Sequence, residues 1–110
     1  MSDVNLMITL TEKIFVDLVE NGGGPVLVEC WADWCMPCRA LSPIIEELAQ
    51  EFKGRVRFGR LNVDECKETA SRLGIRGIPT LLFFSEGKKL NELVGNQPKD
   101  KVRNELFKIS

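Results

Sequence analysis

The apolar positions of this chain switch between two periods, and each switch marks an element. Leu6 to Leu10 alternates weakly and predicts a short strand. Thr11 then offers a helix N-cap, and Phe15, Leu18 and Val19 set one apolar stripe on the helix that follows. Asn21-Gly22-Gly23-Gly24-Pro25 ends it. A glycine-rich loop cradles phosphate when it opens a helix, but this one leads into a strand and is read as a turn. Val26, Leu27 and Val28 with Trp31 make a run dominated by β-branched and aromatic residues, the composition of a strand buried on both faces of a parallel sheet. After Ala32 the period changes, and Leu41, Ile44, Ile45, Leu48, Ala49 and Phe52 recur at helical spacing. Pro43 lies inside that helix, where it removes a backbone hydrogen bond and predicts a kink.

Gly54 closes the long helix, and Val56 to Val63 reads as a strand with Gly59 at its middle. A short helix from Cys66 to Leu73 is stopped by Gly74. Thr80 to Phe84 is a strand, Glu86-Gly87 a turn, and Lys88 to Val94 a second strand, so the two predict an antiparallel hairpin. Gly95 breaks it. Val102, Leu106 and Ile109 stripe a final helix beginning near Pro98. The order β-α-β-α-β-α-β-β-α predicts an α/β fold, a mixed sheet with helices on both faces, because parallel strands need crossover connections.

Bulk properties narrow the function. At 110 residues the chain is expected to be one domain, 1–110, large enough for a core without staples. A formal net charge of -1 gives no electrostatic reason to expect nucleic acid or an anionic membrane as partner. Histidine is absent, which removes histidine-based catalysis and histidine metal ligands. Four cysteines, unevenly placed, do not make a secreted disulfide framework. Met1-Ser2-Asp3-Val4-Asn5 lacks a basic region leading into a long apolar segment, no apolar run is long enough to span a bilayer, and the expected location is a reducing cytoplasm.

Cys35 and Cys38 fall where the strand period gives way to the helix period, which predicts both on the helix's first turn. That turn has unpaired N–H groups and the positive end of the helix dipole, so it stabilises an anion such as a thiolate. Free cysteine has a pKa near ~8.5, lowered at helix N-termini and in Cys-X-X-Cys motifs, and Cys35 benefits most. Residues three apart share a helix face, so Cys38 can reach the sulfur of Cys35. Pro37 suits the first turn, where its missing N–H costs nothing. The spacing alone also fits half a zinc site or a purely structural pair; placement between a buried strand and an amphipathic helix favours redox chemistry.

Trp31-Ala32-Asp33-Trp34-Cys35-Met36-Pro37-Cys38-Arg39 resembles the active site of the thioredoxin family, and the order of elements resembles that family's fold over essentially the whole chain. The resemblance implies a monomeric thiol-disulfide oxidoreductase that reduces protein disulfides, with a redox-active Cys35–Cys38 disulfide, no bound cofactor and no metal. It implies a thioredoxin reductase as partner, NADPH- or ferredoxin-linked. Family members typically bury an aspartate at the position of Glu29, behind the resolving cysteine, to move its proton; Glu29 is one methylene longer. Arg60 stands where many carry a lysine paired with that acid. Ile78-Pro79-Thr80 matches the family's cis-proline motif, although an X-Pro bond is otherwise cis only ~5% of the time. Trp34, Ile78, Pro79 and Gly95 are expected to form a docking rim for an extended substrate segment. Met36 replaces the usual glycine and is expected to enlarge that surface and, with Pro37, to tune the redox balance.

Competing readings stand beside these. Glu29 interrupts an apolar strand, which fits either a buried carboxyl with a raised pKa or one near the strand edge with access to water. Arg60 is either its partner or a solvated charge. Cys30 points to the face opposite Glu29 and reads as a small buried hydrophobe. Cys66, near a helix start, reads as structural, with mixed-disulfide formation as the alternative. Rival functions are an oxidant or isomerase on the same fold, a docking module with incidental thiols, and a metal or iron-sulfur site.

Overall fold

The structure, a computed structural model, describes residues 6–110; the reading of Met1–Asn5 lies outside the described residues. The elements follow the expected order: β1 (Met7–Leu10), α1 (Glu12–Ile14, continuing as a π-helix over Phe15–Glu20), β2 (Pro25–Trp31), α2 (Met36–Glu51), β3 (Arg57–Asn62), α3 (Lys67–Arg72), β4 (Thr80–Ser85), β5 (Lys88–Val94) and α4 (Lys99–Ile109). Thr11 caps α1 as its sequence position suggests, its Oγ1 accepting from the Ile14 N–H at 3.0 Å. The π-helical stretch is a departure. Phe15 and Val19 are nevertheless both buried, so the stripe survives the change of winding.

The strands form one sheet in the order β1-β3-β2-β4-β5. β3 runs parallel to both β1 and β2, while β4 is antiparallel to β2 and to β5. Alternation of side chains along β2 then sorts the core into two layers. Leu27 faces Leu41, Ile45, Leu48, Val102 and Leu106, which places α2 and α4 on one side. Val26, Val28 and Cys30 face Phe15, Val19 and Cys66, so the other side is covered from α1 and the start of α3. Helices thus lie on both faces, as expected from the crossovers.

β2 is the middle strand, hydrogen-bonded on both sides and buried from Val26 to Cys30. Its C-terminal end feeds directly into α2. Antiparallel β4 begins beside that end, with Thr80 opposite Cys30. The loop before β4 and the start of α2 therefore meet at the same edge of the sheet. α2 passes through Pro43 as one continuous helix, Pro43 lying on its exposed side.

Candidate active site

The turn between β2 and α2 is closed by the Cys35 N–H, which donates to the Ala32 carbonyl at 3.1 Å. Cys35 is the N-cap of α2, with extended backbone angles (φ -88°, ψ 103°), rather than a residue of its first turn. The first turn is Met36, Pro37 and Cys38. An N-cap side chain accepts from the turn's unpaired donors, and the Cys38 N–H donates to Cys35 Sγ at 3.2 Å. The same donor and the helix dipole are in place to stabilise a thiolate at Cys35. Cys35 and Cys38 are joined as a disulfide with Cα atoms 5.3 Å apart, and both are buried.

Around the disulfide the chain exposes apolar surface. Trp34 is 67% and Met36 68% exposed, unusual for such side chains. The Trp34 ring is pinned by its Nε1–H, which donates to Asp64 Oδ2 at 2.8 Å. Asp64 is held in turn by the Asn62 side chain, whose Oδ1 accepts from the Asp64 N–H at 2.9 Å. On the adjoining loop the Ile78–Pro79 bond is cis. The Pro79 carbonyl accepts from the Gly95 N–H at 2.8 Å, and Thr80 Oγ1 donates to the Gly77 carbonyl at 2.5 Å. Trp34 and Met36 at the start of α2, and Ile78, Pro79 and Gly95 at the ends of β4 and β5, thus lie at one edge of the sheet.

On β2, Glu29 has no exposed surface, which settles its environment against the water-exposed strand edge. It lies on the α2 face of β2 directly opposite Arg60 of β3 in the parallel register. Glu29 Oε2 accepts a hydrogen bond from Ser42 Oγ at 2.6 Å, and Oε1 lies 3.4 Å from Arg60 Nε as an ion pair without hydrogen-bond geometry. Arg60 is held from its other side by the Trp31 ring, over which its guanidinium sits at 4.3 Å. Burial pushes the Glu29 carboxyl above the ordinary carboxylate range, helped by the Glu46 carboxylate, although Ser42 and Arg60 pull it down. The desolvation cost of the charged form outweighs one short hydrogen bond and an imperfect ion pair. A cleft of about 280 Å³ opens beside this group, lined among others by Trp31, Cys38, Ser42, Glu46 and Arg60.

The remaining thiols are inert by position. Cys30 is buried on the face opposite Glu29, and burial, with the nearby Glu29 carboxylate, pushes its thiol up to about 12. Cys66 is buried at the start of α3, its Sγ–H directed to the Leu10 carbonyl at 3.5 Å, and burial with Glu12 and Glu65 raises it too. Both lack the helix-terminal donor that Cys35 has, and a raised pKa leaves little thiolate at neutral pH. Among the described residues no three or more His, Cys, Asp or Glu side chains cluster as a metal site would. No helix there is long and apolar enough to cross a membrane.

Sequence reasoning passed over Ser42, Asp64 and Asn62. Ser42 had one legible signal, its position one helical turn after Cys38; Asn62 and Asp64 had the turn chemistry of short polar side chains at a strand end.

A disulfide capping a helix at the end of a buried strand, an apolar rim and a cis-proline loop together define a dithiol–disulfide exchange protein. Comparison with known proteins agrees. The thioredoxin family model matches residues 6–108. The chain is 43% identical over 101 residues to a thioredoxin of Alicyclobacillus acidocaldarius, covering 92% of this chain and 95% of that one. It is 47% identical over 88 residues to thioredoxin Asp f 29 of Aspergillus fumigatus, covering 78% and 79%. A chloroplastic M-type thioredoxin of Pisum sativum is 41% identical over 105 residues, covering 96% of this chain and 61% of that protein. The chain belongs to the thioredoxin family, and it is a thiol-disulfide oxidoreductase that reduces protein disulfides through Cys35 and Cys38.

Proposed function

We propose that the reduction runs in two exchanges with Glu29 as the proton acceptor for the second. The Cys35 thiolate attacks one sulfur of a substrate disulfide; that bond breaks, one substrate sulfur leaves as thiolate, and a mixed disulfide forms. Glu29 takes the proton of Cys38. The Cys38 thiolate then attacks Cys35 Sγ, the mixed disulfide breaks, and the second substrate sulfur leaves as thiolate. Two electrons have passed from the dithiol to the substrate, and the Cys35–Cys38 disulfide remains for a reductase to reduce.

The observation that carries the Glu29 assignment is a buried carboxyl held by Ser42, one helical turn along α2 from Cys38, with Ser42 and Cys38 lining one cleft. A raised pKa makes this group a better proton acceptor than an ordinary surface carboxylate. Arg60 tunes it through the ion pair. Trp34, Met36, Ile78, Pro79 and Gly95 form the rim on which an extended substrate segment docks, Trp34 and Met36 supplying apolar contact. The domain acts as a monomer without bound cofactor, and its small net charge offers nothing to nucleic acid. Two buried, unbridged thiols suit a reducing compartment, for which we assign the cytoplasm.

Glu29→Gln tests the proton step, because it keeps shape and hydrogen bonding but cannot accept the proton. General-base catalysis contributes roughly 10²-fold or more, so resolution at neutral pH is expected to slow by about that factor while attack by Cys35 is nearly unchanged. Stopped-flow release of thionitrobenzoate from an aromatic disulfide probe separates the two phases. Equal slowing of both, or of neither, sinks the assignment.

A further inference from the structure

Among the described residues, Ser42 and Arg60 make the polar contacts of the Glu29 carboxyl, and they hold it unequally. Arg60 is the obvious partner by charge, yet its Nε makes no hydrogen bond to Oε1 at 3.4 Å, and its guanidinium is committed to the Trp31 ring. Ser42 makes the one short bond, 2.6 Å from Oγ to Oε2. Its hydroxyl also lies 3.4 Å from Arg60 Nη2, which donates to it. The serine therefore joins the acid to the cation whose own direct contact is poor.

We propose that Ser42 is a positioning residue for the proton-transfer step: its hydroxyl fixes the buried Glu29 carboxyl against α2, one turn from Cys38, at the wall of the cleft that both residues line. The proposal rests on the reading of Glu29 as the proton acceptor. Three observations favour it. Glutamate's extra methylene gives its carboxyl rotational freedom that a binding partner must remove. Ser42 belongs to the same helix face as Cys38, so the group that locates the acid is rigidly tied to the thiol that gives up the proton. A hydroxyl both donates and accepts, so it donates to Glu29 while the carboxylate is charged and accepts from it once the proton has arrived, at one heavy-atom spacing. An amide or ammonium could not serve both states in this way.

The charged neighbours of Glu29 are few. Arg60 approaches from β3 and Glu46 from α2, and the β4 residue opposite is Leu81. Ser42 favours the ionised carboxyl, so its loss leaves Glu29 harder to ionise. Ser42→Ala is therefore expected to move the pH midpoint of the resolution phase upward by about one unit, a tenfold change in proton affinity, with the attack phase unmoved. Ser42→Thr, which keeps the hydroxyl, is expected to restore the parent profile. In a Glu29→Gln background Ser42→Ala is expected to change nothing. The measurement is the stopped-flow resolution rate across pH for the parent and these four variants. An unmoved midpoint in Ser42→Ala, with Glu29→Gln abolishing the pH step, overturns the role of Ser42 and leaves that of Glu29 standing. A shift that persists in the Glu29→Gln background overturns it too, since Ser42 would then act on another group. A pH step that survives Glu29→Gln overturns both.

Discussion

A carboxyl group without exposed surface costs the folded state something whenever it is charged, and Glu29 is such a group. Its pKa is raised in the folded chain, by burial first and Glu46 second, and is ordinary, about 4.3, when unfolded. The folded protein thus holds the proton more tightly. Stability from that difference is complete below the unfolded value and is lost as pH rises through the raised folded value. We predict that the unfolding free energy falls across this window, by ~1.4 kcal/mol for each unit by which the pKa is raised, and that Glu29→Gln flattens the fall. Urea unfolding at a series of pH values measures it. Identical slopes in parent and variant would show that the buried acid is not the source. Desolvation of Glu29 is therefore a stability liability above its raised pKa, and Ser42 limits it by stabilising the ionised form.

At the scale of elements, Gly59 shows how closely neighbouring strands dictate one another. It sits in β3 between Ile8 of β1 and Val28 of β2. A Cβ placed there would lie 2.8 Å from Leu10 Cδ1, and Leu10 is itself buried. Gly59→Ala is expected to destabilise by about 1–3 kcal/mol through overpacking, and Leu10→Ala by about 2–5 kcal/mol through the cavity it leaves. Together they should cost less than the sum, because the cavity receives the new methyl. Denaturant midpoints of the two single variants and the double variant give the coupling, and strict additivity would contradict it. In the sequence this residue reads only as a glycine at the middle of a strand, because its reason lies in another strand. The change of period at Ala32, by contrast, was legible, since β2 is buried on both faces and α2 on one. The π-helical winding of Phe15–Glu20 was not, because a stripe of Phe15, Leu18 and Val19 tolerates either helix. The sequence pattern places Cys35 on the first turn of α2, one position inside its N-cap, because such a pattern locates a terminus only to within a residue or two. Glu29 and Arg60 were recognisable as candidates, but their pairing depended on a strand register that no local pattern encodes.

The whole molecule serves one edge of its sheet. The order β1-β3-β2-β4-β5 places the strand that carries Glu29 in the middle, where neighbours on both sides exclude water. α2 and α4 seal the Glu29 face while α1 and α3 seal the other, leaving Cys30 and Cys66 as core filler and directing thiol chemistry to Cys35 and Cys38. β5, an outer strand, exposes Lys88 and Lys89, charges that discourage edge-to-edge pairing. What remains accessible is the apolar surface of Trp34 and Met36, with the cis Ile78–Pro79 bond at the same end of the sheet, which is the rim we propose for docking.

The most direct test of the account is the equilibrium reduction potential of the Cys35–Cys38 pair, titrated in dithiothreitol redox buffers with thiol state read by mass. A working reductant must lie below the cytosolic glutathione poise, which biochemical extraction puts at roughly -220 to -260 mV. We predict a value under that range. A value well above it, toward about -180 mV where disulfide isomerases operate, would contradict the account and make the protein a donor of disulfides.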